Sequence, residues 1–187
     1  MMRVLESPLN LETVRSLKLG EIVYINGPVI TGRDEMHIRA IEMAKKGEKV
    51  PEEIIGSTLY HCGPIMTETD GKKEVVAAGP TTSARMNSLE SEMISRFHIR
   101  AIIGKGGMSK DVGKTMADEG CVYLAATGGA AVTLAEGLYA VDGVEWEDLG
   151  MAEAMWKFRA NKLGPLIVAM DANGNSLYEK VNASLQR

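Results

Sequence analysis

Three glycine-containing segments of the chain each combine a cation with hydroxyl groups or further glycines. They are TGRD at 31–34, AGPTTSAR at 78–85 and IGKGG at 103–107. Arg33 and Arg85 offer planar guanidinium groups that match carboxylates, and Lys105 offers a point charge. Each segment lies between a predicted strand and a predicted helix, where free backbone N–H groups favour anions. Together the segments predict a site for a small molecule with two carboxylates.

Phosphate is the rival anion, but two nucleotide-binding motifs fail residue by residue. In GGMSKDVGKT, a phosphate-binding loop requires glycine where Met108 stands, and Lys114 falls inside a predicted helix. The dinucleotide-binding pattern fits at Gly104 and Gly106 but requires glycine where Ser109 stands. These mismatches disfavour a nucleotide ligand.

The composition is that of an ordinary globular domain. The chain has 187 residues, of which 45% are hydrophobic and 25% charged, and its formal net charge is −4. This charge gives no indication of a basic face for nucleic acid. We find neither an apolar leader at the N-terminus nor a stretch of membrane-spanning length. We therefore expect a cytoplasmic protein with no nucleic-acid or membrane partner.

The cysteines limit the metal chemistry of the chain. Cys62 and Cys121 are far apart in the sequence, and each lies in an apolar, strand-like run. Free cysteines in such runs are usually buried and reduced. An iron–sulfur cubane needs at least three thiolates, so this chain cannot hold one alone. We predict no metal ligands in it.

Hydrophobic periodicity predicts strands that alternate with helices. The predicted strands lie at 21–25, 29–31, 58–62, 73–80, 100–104, 121–126, 155–163 and 166–171. The predicted helices lie at 34–46, 85–98, 110–119 and 130–138. A turn is expected at 26–28, between the first two strands.

This alternation is typical of an α/β domain whose sheet is mixed and partly parallel. The strand-rich first third and the late pair of strands suggest a second, mixed sheet layer. We find no internal repeat or linker, so we predict one domain over residues 1–187. Within it, residues 1–16 are expected to be a lead-in and residues 17–187 the core.

Several separate blocks resemble one known family. ITGRDEMH, AGPTTSARM and IIGKGGM occur in this order, followed by GCVYLAATGGAA, VEWEDLGMAEAMW and VAMDANGNSLYEKV. The chain thus resembles the β subunit of class I fumarases and L-tartrate dehydratases from about Leu17 onward. This resemblance implies a swivelling β/β/α domain that closes over a larger, separate α subunit. It also implies that the α subunit holds a four-iron, four-sulfur cluster through three cysteines.

The resemblance also implies roles for residues of the three segments. Arg33 and Arg85 are expected to bind the substrate carboxylates, Lys105 to face the substrate, and Thr81 to act as the catalytic base. We expect further substrate contacts from neighbouring positions, namely Thr82, Gly104, Gly106 and His37. His37 lies one helical turn after Arg33, so it could orient either Arg33 or the substrate. His61 and His98 are expected to be structural.

The expected activity is the reversible hydration of fumarate to malate, together with the cluster-bearing α subunit. Dehydration of L-tartrate is a close alternative, because both reactions use four-carbon dicarboxylates. A domain that binds dicarboxylates without catalysis is an alternative of another class, since its anion site would have the same composition. Apolar surface meant for the α subunit could also drive formation of a homodimer.

Overall fold

Nine strands and six helices alternate along residues 3–185, the part of the chain that the computed structural model describes. The strands are β1 (Arg3–Glu6), β2 (Ile22–Thr31), β3 (Thr58–Tyr60), β4 (Ile65–Thr69), β5 (Lys72–Ala77), β6 (Ala101–Gly104), β7 (Val122–Ala125), β8 (Leu138–Glu145) and β9 (Met155–Met170). The helices are α1 (Leu11–Ser16), α2 (Asp34–Lys45), α3 (Asn87–Phe97), α4 (Lys110–Glu119), α5 (Ala131–Glu136) and α6 (Leu177–Leu185). No described helix is long and apolar enough to cross a membrane.

Seven of the strands form one mixed sheet, as the sequence predicted. Strands β1, β2, β3, β6 and β7 are parallel neighbours, and β9 runs antiparallel to β2, β7 and β8. Because β9 pairs with both β2 and β7, the strands β2, β3, β6, β7 and β9 form a closed ring. The second sheet consists only of the antiparallel hairpin of β4 and β5. The late strands that were expected to join a second layer belong to the main sheet instead.

Strands β2 and β9 are each continuous where the sequence predicted a break. The predicted turn at 26–28 lies inside β2, and Gly164-Pro165 lies inside β9. The ladder between these two strands has register shifts between Val23 and Gly27. The side chain of Asn26 accepts a hydrogen bond from the backbone N–H of Lys162 at 2.8 Å. Bulges of this kind bend a strand without ending it, so turn-forming residues are tolerated there.

Side-chain alternation in the strands separates two apolar cores. In β6, Ala101 and Ile103 join the core that contains the buried residues of β1 and α1, whereas Ile102 faces the core formed with α2, α3 and α4. The first sixteen residues, expected to be a lead-in, supply β1, which pairs with β2, and α1. Their side chains contribute to the first core through Leu5, Leu9 and Val14.

The predicted helices are present, with shifted ends in three cases. The prediction for 110–119 agrees with α4, and the one for 34–46 ends one residue beyond α2. The predicted helix 85–98 begins instead with a short 3-10 turn, Ser83–Met86, and α3 follows it. Helix α5 is shorter than predicted and covers only Ala131–Glu136. Arg85 thus lies in a tight turn just before α3.

A short segment, residues 81–83, is inserted between the extensions of β3 and β6. The N–H of Thr81 donates to the carbonyl of His61 at 2.7 Å, and the N–H of Lys105 donates to the carbonyl of Thr81 at 3.3 Å. The N–H of Ser83 donates to the carbonyl of Lys105 at 3.0 Å. This ladder places two of the three predicted anion-binding segments side by side.

The insertion requires glycine at position 104. A Cβ atom there would lie 2.0 Å from Oγ of Ser83 and 3.0 Å from the hydroxyl of Tyr123. Both side chains are buried, so they have little room to move. The close approach of the inserted segment to β6 therefore depends on the missing side chain.

We expect Gly104→Ala to lower the free energy of unfolding by about 1–3 kcal/mol, because overpacking displaces Ser83. Urea denaturation followed by tryptophan fluorescence would measure this difference. Gly128→Ala is the matched control, since its Cβ would meet nothing closer than Cδ of Lys105 at 3.9 Å. Equal stability of the two variants would contradict the packing role of Gly104.

Candidate active site

The three predicted segments meet at the carboxyl ends of β2, β3 and β6. The N–H of Gly32, in the first segment, donates to the carbonyl of Tyr60 at the end of β3 at 3.0 Å. The next residue, Arg33, extends its guanidinium beside β3, and its Nη1 lies 3.0 Å from the position that a Cβ on Gly63 would occupy. The first segment therefore borders the other two, which residues 81–83 and Lys105 connect.

Carboxylates of the chain orient both arginines. Nε of Arg33 lies 3.2 Å from Glu153, whose other oxygen accepts a hydrogen bond from the N–H of Glu35 in the first turn of α2. Arg85 lies 3.0 Å from Asp34. A guanidinium has five N–H donors, so one carboxylate contact leaves donors free for a ligand. The side chain of Arg85 is 53% exposed, which keeps its free donors accessible.

Lys105 is the third cation of this edge. It makes no ion pair with any residue in the described part of the chain. Its aliphatic stem passes near Gly128 in the loop after β7. An ammonium group without an internal carboxylate is available to an anionic ligand.

The threonines and glycines of the segments differ in solvent exposure. Thr81 is half-buried and held through its backbone, and within residues 3–185 its hydroxyl makes no hydrogen bond. Thr82 and Gly106 are exposed, and Gly106 has a φ of 80°, which favours glycine. Gly104 is buried, so its part is to admit Ser83 rather than to face a ligand.

His37 lies beneath the first segment and is fully buried. Its Nδ1 is 2.6 Å from the carbonyl oxygen of Arg33, and its Nε2 is 3.1 Å from Oε2 of Glu90. Of the two roles expected for His37, this geometry fits orientation of Arg33, since no part of the ring reaches the open edge.

A buried polar network lies under all three segments, and sequence reasoning missed most of its members. Nε2 of His61 is 3.0 Å from the same oxygen of Glu90. Nδ1 of His61 is 2.9 Å from Oγ of Ser83, which is 2.9 Å from the hydroxyl of Tyr123. That hydroxyl accepts a hydrogen bond from the N–H of Gly107 at 3.3 Å. The network thus runs from the first segment to the third.

One sequence feature could have revealed Glu90. Helix α3 has buried residues at Met93 and Phe97, and the preceding turn buries Met86. Glu90 lies four residues after Met86 and three before Met93, on the same apolar face. A carboxylate at a core position of an amphipathic helix indicates a buried polar partner.

The pKa shifts in the network favour one distribution of charge. Burial acts to raise the pKa of Glu90, but His61 and His37 outweigh it and lower this pKa to about 2. Burial acts to lower the pKa of His37, yet Glu90 raises it above its ordinary value. For His61, burial prevails and lowers the pKa. These directions favour an ionised Glu90 paired with a protonated His37, and a neutral His61.

Among the described residues, the three that could together ligate a metal ion are His37, His61 and Glu90. Both imidazole nitrogens lie at hydrogen-bonding distance from a single carboxylate oxygen, which fits an ion pair without an intervening ion. We therefore interpret this group as an ion-pair cluster.

The cysteines do not fit an iron–sulfur cluster. Cys62 and Cys121 are buried in different apolar cores, and no disulfide joins them. Burial raises the pKa of Cys62 to about 12 and that of Cys121 well above its ordinary value. Both are therefore neutral thiols, whereas cluster ligands are thiolates.

We expect acid to weaken the fold through Glu90. In the unfolded chain its carboxyl titrates near pH 4.5, and in the folded chain near pH 2. The ionised carboxylate therefore stabilises the fold above pH 4.5, and this contribution is lost as the pH falls towards 2. Urea denaturation between pH 3 and 7 should show a steeper acid limb for the native chain than for Glu90→Gln.

Glu92→Gln provides a control on the same helix, because Glu92 makes surface ion pairs with Lys45 and Arg96. Salt screens exposed pairs, so the effect of this variant should shrink at high ionic strength. Identical acid limbs for the native chain and Glu90→Gln would contradict the buried ion pair.

Comparison with known proteins places this chain in a family. A model described as the Fumarase C-terminus matches residues 2–181. The chain is 51% identical to the putative L(+)-tartrate dehydratase subunit beta of Methanocaldococcus jannaschii, over 93% of this chain and 90% of that protein. It is 35% identical to the L(+)-tartrate dehydratase subunit beta of Escherichia coli, over 95% of this chain and 87% of that protein.

A third relative is longer. The putative fumarate hydratase class I of Geobacillus stearothermophilus is 40% identical over 96% of this chain, which corresponds to 34% of that protein. These matches confirm the resemblance that the sequence blocks indicated. Since the family model and the relatives span nearly the whole chain, the chain belongs to the Fumarase C-terminus family.

Proposed function

We propose that this chain is the β subunit of an iron–sulfur hydro-lyase that reversibly hydrates fumarate to malate. The names of the relatives, dehydratase subunit beta and fumarate hydratase, support a hydro-lyase. The observation that carries the proposal is that the segments with Arg33, Arg85, Lys105 and Thr81 lie side by side at one edge of the sheet. Three cations at one edge suit a substrate with two carboxylates.

The cations have distinct parts in the proposed reaction. Arg33 and Arg85 hold the two carboxylates, and the internal ion pairs with Glu153 and Asp34 keep each guanidinium at this edge. Removal of a proton next to a carboxylate spreads negative charge onto that carboxylate. Preformed cations lower the barrier because they need no reorganisation as this charge develops. Lys105, which forms no ion pair within residues 3–185, adds charge at the same edge.

Thr81 is proposed as the base that moves the proton at the substrate carbon. An alcohol is a weak base unless a neighbouring group activates it. Within residues 3–185, no side chain forms a hydrogen bond with the Thr81 hydroxyl, so a partner chain would have to supply that group. The partner would also hold the cluster, which supplies Lewis acidity for the leaving hydroxyl when bound.

An exposed apolar patch beside the site supports the proposed partner. Ile65 and Val76 of the β4–β5 hairpin and Val132 of α5 are exposed, and α5 packs against β5. The carbonyl of Ala131 accepts a hydrogen bond from the N–H of Ala78, at the start of the second anion-binding segment. Apolar surface next to a charged site is typical of a surface covered by another chain.

L-Tartrate is the second candidate substrate. It is favoured by the relative at 51% identity, which is named for tartrate. Tartrate carries one hydroxyl more than malate, and a site that binds this hydroxyl discriminates strongly against the analogue without it. Thr82 is exposed next to Gly106 and is a candidate for that contact.

We expect hydration of fumarate only when the chain is mixed with its cluster-bearing partner under anaerobic conditions. In this mixture, Arg85→Ala should lower kcat/KM by about 10²-fold, because a substrate carboxylate loses its cation. Arg96→Ala is the matched control, since Arg96 lies on the exposed face of α3 and pairs with Glu92. L-Tartrate is assayed in parallel.

Higher kcat/KM for L-tartrate than for fumarate would move the assignment to tartrate dehydratase. A complex with a loaded cluster that acts on neither substrate would refute the hydro-lyase proposal. If the chain alone then bound succinate and Arg85→Ala abolished that binding, the result would support a non-catalytic dicarboxylate-binding domain.

We expect Thr81→Val to abolish turnover without unfolding the chain. The backbone of Thr81 makes the structural hydrogen bonds, and valine preserves both the shape and these bonds. Thr81→Ser, which retains a hydroxyl, should keep measurable kcat. Isotope exchange at the substrate carbon would show whether proton removal is the lost step. Unchanged kcat in Thr81→Val would exclude Thr81 as the base.

A further inference from the structure

The buried network beneath the site connects each anion-binding segment to one carboxylate. His37 joins Glu90 to the carbonyl of Arg33 in the first segment. His61 joins Glu90 to Ser83 in the second segment. Tyr123 continues from Ser83 to the N–H of Gly107 in the third. These segments are far apart in the sequence, so the network provides a physical link between them.

At the end of the network near Arg33, hydrogen-bond acceptors determine which nitrogens of His37 carry protons. A carbonyl oxygen only accepts hydrogen bonds, so Nδ1 of His37 must carry a proton to approach it at 2.6 Å. An ionised carboxylate also only accepts, so Nε2 of His37 must carry a proton to bind Glu90. His37 is therefore an imidazolium that donates in both directions.

At the other end of the network, the N–H of Gly107 determines the direction of the hydrogen bonds through Tyr123, Ser83 and His61. Its backbone N–H only donates, so the Tyr123 hydroxyl accepts there and donates to Ser83. The Ser83 hydroxyl then donates to Nδ1 of His61. The remaining proton of neutral His61 lies on Nε2, which faces Glu90 at 3.0 Å, although not along the line of a regular hydrogen bond.

The Nε2 atoms of both histidines thus lie within 3.1 Å of one oxygen of Glu90. We propose that Glu90 is a positioning residue, whose buried carboxylate holds the three anion-binding segments in one arrangement by accepting a hydrogen bond from His37 and by its electrostatic contact with Nε2 of His61. Its effect on turnover rests on the hydro-lyase activity proposed above. Glu90 is fully buried and reaches no substrate, so it acts only through the two histidines.

Stability alone is a poor explanation for a carboxylate at this position. Desolvation of a buried ion pair is costly, and well-packed apolar residues at such positions are often equally stable or more stable. The apolar neighbours of Glu90 on α3, which include Met93 and Ile94, show that a methionine would suit this face. An apolar side chain cannot accept the hydrogen bond from His37 or attract the Nε2 proton of His61.

The first test compares Glu90→Met, which removes the acceptor, with Glu90→Gln, which keeps one acceptor oxygen. In the complex with the partner, Glu90→Met should lower kcat/KM on the order of 10²-fold, because misplaced groups lose catalytic alignment. Glu90→Gln should restore part of this loss. Glu92→Met and Glu92→Gln, on the same helix, should stay within about twofold of the native kcat/KM. Native kcat/KM in Glu90→Met would overturn the proposal.

The second test uses the full chain alone and does not depend on the proposed activity. Nitrogen-15 NMR of the histidine rings should show His37 with protons on both nitrogens near neutral pH. In Glu90→Gln, His37 should keep only the Nδ1 proton, which Arg33 requires. The chain has three histidines, and exposed His98 serves as the internal reference. A singly protonated His37 in the native chain would overturn the proposed network.

Hydrogen exchange measures the positioning itself. The Gly107 amide should exchange at least tenfold faster in Glu90→Met than in the native chain. Tyr123→Phe keeps the buried charges but removes the hydrogen bond to the Gly107 N–H. It should therefore accelerate exchange of the Gly107 amide and leave His37 doubly protonated. Unchanged exchange in both variants would overturn the proposal. A stoichiometric divalent metal that is bound by the native chain and lost in Glu90→Gln would also overturn it.

Discussion

The arrangement of the candidate site depends on one carboxylate buried where the ends of β2, β3 and β6 converge. An isolated charge at this depth would be expensive, and the imidazolium of His37 offsets the cost. The backbone carbonyl of Arg33 stabilises the pair further, because it accepts a hydrogen bond from Nδ1 of that imidazolium. The charge balance of the core and the path of the first segment are therefore coupled, and the same carboxylate reaches the other two segments through His61.

The local pattern of the sequence predicted the alternation of strands and helices, because each element carries its own hydrophobic period. It was wrong where long-range pairing overrides local chemistry. Asn26, Gly27 and Pro28 are typical of a turn, yet they lie inside β2 because β9 pairs with them through bulges. Closure of the ring needs β9 to pair with β2, which lies more than a hundred residues earlier. No local window contains that information.

The residues of the candidate site that the sequence indicated are those whose own type determines their chemistry. Arg33, Arg85, Lys105 and Thr81 stand in glycine-containing segments, and the structure places these segments at one edge. The supporting network was missed because each member alone is unremarkable: a serine, a tyrosine and a histidine in buried strand or loop positions. Only Glu90 violates its local pattern, since it carries charge on the apolar face of α3. The partners of such a residue are set by the fold and cannot be identified from spacing.

The site combines a hydrogen-bonded network beneath the segments with side chains above them that are open to a ligand. Beneath the segments, every proton in the network has a defined direction, which gives a rigid base. Above them, Arg33 and Arg85 keep free donors, Lys105 has no ion pair within residues 3–185, and the hydroxyl of Thr81 makes no hydrogen bond there. In the proposed hydro-lyase, the partner chain would supply the remaining chemistry from the opposite side. This division of groups between two chains requires a rigid network beneath the segments. The groups align only if each chain holds its own groups fixed before the two chains meet.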